Sequence, residues 1–128
     1  MSIENNKSIV EKAIGELFGA GGVDAAAAYL HDDFVDHGPG VVTSNKADWI
    51  ATVRQLPVAD MKIEVHHVLA EGDHVTMLSR RWLPWESHWI AVVDIYRLED
   101  GLIVEHGEVF QPLPETDRDP AAHSLVPW

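Results

Sequence analysis

Along the first half of the chain the apolar positions recur at helical spacing. Ile3, Ile9, Val10, Ala13, Ile14, Leu17 and Phe18, with Glu and Lys between them, predict a first helix from Ile3 to Phe18. The Gly19–Gly22 stretch, broken only by Ala20, stops it. Asp24 is a natural N-cap for a short Ala-rich helix through Leu30. His31-Asp32-Asp33 then leads into a brief extended piece, Phe34-Val35-Asp36-His37, ended by Gly38-Pro39-Gly40. Ser44 can cap a third helix whose stripe is Ala47, Ile50, Ala51, Val53 and Leu56, with Pro57 beyond its end.

In the second half the period falls from about 3.6 to 2. Met61, Ile63, Val65 and Leu69 alternate with polar residues, and Glu71-Gly72-Asp73 turns into a strand that runs through Trp82 to a break at Pro84. His88–Leu98 is a long strand, apolar on both faces at Ile90, Ala91, Val92 and Val93. Glu99-Asp100-Gly101 turns into the last strand, Leu102–Gln111, which Pro112 and Pro114 end. Three helices before four antiparallel strands make an α+β fold, a curved sheet packed on a helical layer. A strand apolar on both faces needs cover on both. Helices account for one side, and a second copy of the chain for the other. A homodimer through Trp89–Ile95 is therefore expected, burying on the order of 1,000 Å² or more. The chain reads as one domain with its core at about 3–114 and a Pro-, Asp- and Ala-rich tail at 115–128.

Composition narrows the function classes. With 128 residues, 46% hydrophobic and 23% charged, the chain can build one core. Nine Lys and Arg against 21 Asp and Glu leave a net charge of −12 and no basic stripe, which argues against a nucleic-acid partner. Without Cys there is no disulfide frame, thiolate metal site or Cys nucleophile. No apolar run is long enough to span a membrane, and the polar start at Met1–Lys7 does not resemble a signal peptide, so a cytoplasmic location is expected. His66, His67 and His74 lack metal-ligand spacing, so no metal or other cofactor is expected.

Two segments carry a family resemblance. One runs Val93-Asp94-Ile95-Tyr96-Arg97-Leu98-Glu99-Asp100-Gly101-Leu102-Ile103-Val104-Glu105-His106 and continues to Gln111-Pro112-Leu113-Pro114-Glu115; the other is Phe34-Val35-Asp36-His37-Gly38-Pro39. They resemble the closing hairpin, and the aromatic-x-x-His-x-Pro segment, of SnoaL-like proteins in the nuclear transport factor 2-like superfamily. The resemblance implies a cone of curved antiparallel sheet on three N-terminal helices with a pocket inside. It also implies a range of activities: aldol-type polyketide cyclisation, isomerisation, dehydration, epoxide hydrolysis or plain binding. The family's acid and base fall at Asp94 and Glu108. Gly107 stands where the family usually has Trp, and Glu108 where Asp is usual. Loss of the indole is expected to open a hole in the pocket wall that either belongs to a ligand or, the favoured reading, is refilled by Trp82, Trp85 or Trp89, so that Gly107→Trp would clash.

Asp94 is the leading chemical candidate, because a carboxylate among Ile90, Val92, Val93 and Ile95 must be paired, neutral or functional. A structural partner would be Arg80 or Arg97. The hairpin register decides who shares its face. A two-residue Asp100-Gly101 turn sets Asp94 opposite Gly107; a three-residue turn sets it opposite His106 and points Asp94, Tyr96, His106 and Glu108 one way. The implied family sites favour the second. His37 could polarise a carbonyl at the pocket mouth, as could His106, while Phe34, Trp49, Trp82, Trp89 and Tyr96 are candidate pocket walls. The expected function is cofactor-independent acid–base catalysis on a small or medium apolar carbonyl compound, by cyclisation, isomerisation or dehydration. The rivals are a non-catalytic small-molecule-binding module and an epoxide hydrolase. The last usually asks for an Arg two residues from the Asp, where this chain has Val92 and Tyr96.

Overall fold

The computed structural model describes residues 2–38 and 44–113. Helix α1 (Ile3–Leu17) opens under Ser2, whose hydroxyl accepts from the Asn5 amide at 3.1 Å. In α2 (Gly22–Ala27) Asp24 sits inside the first turn rather than at the cap. From there it pairs with Arg54 at the end of α3 (Lys46–Arg54). The cap of α3 is Asn45, one residue later than expected, accepting from the Asp48 amide at 2.9 Å. Ser44 is taken up instead by a two-residue strand.

The strands are β1 (Leu30–Asp36), β2 (Ser44–Asn45), β3 (Lys62–Glu71), β4 (His74–Leu83), β5 (His88–Glu99) and β6 (Leu102–Pro112). They form one curved, unclosed sheet in the order β2-β1-β6-β5-β4-β3. β3 to β6 are the expected antiparallel meander. The piece around Phe34–His37 is more than a connector: as β1 it lies parallel to β6, with Leu30 beside Ile103 and Asp36 beside His106, so the sheet is mixed. That pairing joins residues about 70 positions apart and leaves no local pattern to read.

The β5–β6 register is neither of the two considered. Glu99 pairs Leu102 across a two-residue turn whose Asp100 and Gly101 both have positive φ, at 55° and 78°. The ladder then slips at a bulge, with Leu98 opposite Ile103 but Arg97 opposite Glu105. Val104 is the extra residue, and it shifts the rest of β6 so that Asp94 pairs Glu108 and Tyr96 pairs His106. These four therefore share a face, and that face looks toward the helices. There Val10 and Ala13 of α1 pack with Leu30, Phe34, Val75, Met77, Tyr96, Leu98 and Ile103.

Gly107 pairs Ile95 on the opposite, outer face, and a Cβ built on it meets nothing within 4 Å. The expected hole in the pocket wall does not exist, and no indole refills it. The clash foreseen for Gly107→Trp has no structural basis.

Candidate active site

Asp94 lies at the centre of β5, 0% exposed, between Met77 of β4 and Glu108 of β6. Its partner is neither Arg80 nor Arg97. The Arg81 guanidinium donates through Nη2 to Asp94 Oδ2, and its Nη1 stands 3.6 Å from Glu108 Oε2. Arg80, one residue earlier on β4, points to the outer face, where it pairs with Glu64 and stacks on Trp89 at 4.6 Å. Arg97 likewise goes to Glu105, donating from Nε at 2.6 Å.

His106 fills the other side of Asp94. Its Nε2 is 2.7 Å from Asp94 Oδ1 and its Nδ1 is 3.0 Å from Asp36 Oδ1. Burial disfavours the imidazolium, but the hydrogen bonds to Asp36 and Asp94 and the charges of both outweigh it, raising His106 from 6.5 to about 9. At neutral pH both ring nitrogens therefore donate. Burial also pushes Asp36 up, but the hydrogen bond and charge of His106 prevail and hold it below its ordinary value. Asp36 Oδ1 further accepts from the Gly38 amide at 2.8 Å.

Glu108 behaves differently. Burial, and next the charge of Asp94, raise its carboxyl above the ordinary value against the pull of Arg81. Burial and the Asp94 charge also raise the Tyr96 phenol well above its ordinary value, so it remains a hydrogen-bond donor. Its ring lies 4.8 Å from that of His106.

These groups line one cavity of about 490 Å³ between helices and sheet, within the range of small-molecule sites. Asp36, Arg81, Asp94, Tyr96, His106 and Glu108 are all part of its wall. The rest is mainly apolar, from Leu17 of α1 and its C-cap Phe18 to Phe34 and Trp49, whose rings meet edge-on at 6.1 Å. Asp94, His106 and Glu108 also offer ligand atoms within 4.8 Å of one another. Both nitrogens of His106 are engaged by carboxylates and Asp94 carries a guanidinium, so these two already belong to an ion-pair network, with Glu108 beside it at 3.6 Å from Arg81.

Three sequence candidates stand elsewhere. His37 follows β1 with its ring turned to Glu105, at 2.8 Å, and is not part of the cavity wall, because adjacent extended residues face opposite ways. Trp82 and Trp89 face each other on the outer side of the sheet, ring centres 5.7 Å apart. Two members of the ion-pair network were not among the sequence candidates: Arg81, which the sequence shows only beside Arg80 in an apolar segment, and Asp36, the residue before His37. Among the described residues no helix is long and apolar enough to cross a membrane.

A family model described as a SnoaL-like domain matches residues 10–106. Solved structures similar in fold include a candidate ketosteroid isomerase from Kribbella flavida DSM 17836, at TM-score 0.77 and 20% identity, covering 97% of this chain and 89% of that one. An LEH-like epoxide hydrolase from M. tuberculosis matches at TM-score 0.72 and 17% identity, over 85% and 84% of the two chains. IdmH, a candidate polyketide cyclase from Streptomyces antibioticus, matches at TM-score 0.67 and 18% identity, over 83% and 91%. No curated protein matches the chain in sequence.

Proposed function

The chain belongs to the SnoaL-like family, and we propose that within it this protein is an acid–base enzyme acting on a neutral, largely apolar small molecule. The observation that carries the reading is Glu108: a carboxyl with a raised pKa, in the wall of an apolar cavity, beside a second carboxylate already neutralised by Arg81 and His106. Two acids whose surroundings push them apart supply one proton carrier and one fixed charge. Glu108 is the carrier, removing a proton next to a substrate carbonyl. Asp94, saturated by its donors, orients Arg81 and His106. With both nitrogens of His106 committed to carboxylates, the Tyr96 phenol and the Arg81 guanidinium are the donors for the developing oxyanion.

Epoxide hydrolysis is the second reading, and Arg81 favours it. An Arg joining two carboxylates, absent from β5 in the sequence pattern, is supplied by β4. Such a set can activate water at one carboxylate and protonate the leaving oxygen from the other. The plain binding module loses its main support, since Gly107 does not touch the pocket.

The test is a panel of small neutral ketones in D2O, followed by NMR for exchange at the carbon next to the carbonyl, with a parallel panel of epoxides in H2(18)O. The wild-type chain should accelerate one of the two, and Glu108→Gln should reduce that rate by about 10²-fold or more. The rate should rise as Glu108 ionises above its ordinary range, then fall as His106 loses its proton near pH 9. No turnover in either panel, with tight binding of a panel member, would leave the binding module.

A further inference from the structure

The turn between β4 and β5 carries one large apolar residue at its tip. Leu83 and His88 pair as the last rung, and the Glu86 amide donates to the Leu83 carbonyl at 3.1 Å. Pro84, with its fixed φ, takes the second place of that turn and Ser87, at φ 50°, closes the loop in the left-handed region. Directly behind, Trp82 and Trp89 meet edge-on across the outer face, and the Leu113 amide donates to the Trp89 carbonyl at 3.0 Å. The residue thus presented is Trp85. It is part of the cavity wall and yet 50% exposed, as are Leu56 at 41% and Phe110 at 45%. Residues that both line the cavity and meet solvent mark its open end. Three large apolar side chains from three separate segments stand there, and Trp85 is the largest of them.

We propose that Trp85 is a specificity-determining residue, selecting flat, unsaturated ring compounds that reach from the Glu108 end of the cavity to the mouth. This rests on the reading of the cavity as a ligand site and names the ligand class it prefers. An indole in a cavity wall offers a large π-surface with only two side-chain torsions to fix, and such a surface rewards an aromatic or conjugated ring over a saturated one of the same size.

Isothermal titration with 2-naphthol and with its saturated counterpart 2-decalol, on wild type and Trp85→Ala, tests this. Trp85 is on a surface turn, and far-UV circular dichroism matching the wild type would certify the variant. Wild type should bind 2-naphthol more tightly, and Trp85→Ala should weaken 2-naphthol about 3- to 10-fold while moving 2-decalol less than twofold. Equal losses for the two probes, or none, would overturn the role of Trp85 and leave the cavity reading intact. Failure of the wild-type chain to bind either probe would overturn the ligand-site reading itself.

Discussion

His106 is a cation held by two carboxylates in a cavity wall, and this has a consequence for stability that can be measured. Its folded value is raised to about 9 from 6.5, so the folded chain binds this proton more tightly than the unfolded one and protonation favours folding. The contribution is fully present below about pH 6.5, on the order of 3 kcal/mol, and is lost as pH rises through about 9. Urea melts of the wild type should therefore lose stability between pH 6.5 and 9, and His106→Asn, which cannot carry the charge, should flatten that slope. An unchanged slope would mean that the carboxylates do not hold the proton. At this scale the sequence disclosed part of the site. A lone Asp in an apolar strand announces itself, but Arg80 and Arg81 differ only in which face of β4 they occupy. Parity on β4 follows from pairing with β5, which no single segment encodes.

Between residues and whole fold, one element decides the site, and it is the bulge at Val104. Without it, a two-residue turn would set Asp94 opposite Gly107 and turn His106 and Glu108 to the outer face. Consecutive buried apolar residues, Ile103 and Val104 at 1% and 6% exposure, are the trace it leaves in the sequence, since strict alternation would expose one of them. The helices and the meander were legible because caps, turns and periodicity are local. The parallel β1–β6 pairing, and hence the reach of Asp36 to His106, was not, because it joins distant segments. The same register gives Gly107 to the outer face, with open space above it. In the single chain, at concentrations too low for self-association, Gly107→Val should then stabilise the sheet by about 0.5–1 kcal/mol, through lower backbone entropy in the unfolded chain and better strand propensity. A thermal melt checks the gain, and affinity for a cavity ligand should not move. A drop in that affinity would put Gly107 back in the pocket wall.

For the whole molecule, no helix among the described residues covers the outer face of the sheet. Leu69, Ile95 and Val109, from β3, β5 and β6, stand there at 59%, 43% and 67% exposure. Apolar side chains spread over three strands are more than the scattered exposure of an ordinary surface. We propose that two copies of the chain meet through this face, leaving each cavity on the helix side and free to work. Charge opposes the union: each chain carries −12, and pairing brings two such charges together. Salt shortens the range of that repulsion and leaves apolar burial in place, so association should strengthen as ionic strength rises. Sedimentation at micromolar concentration should give a dimer. Ile95→Asp, which sets like charges across a symmetric interface, should give a monomer with the affinity for a cavity ligand retained. A wild-type chain that sediments as a monomer at both low and high salt would refute the interface. A dimer indifferent to Ile95→Asp would move it to another face of the molecule.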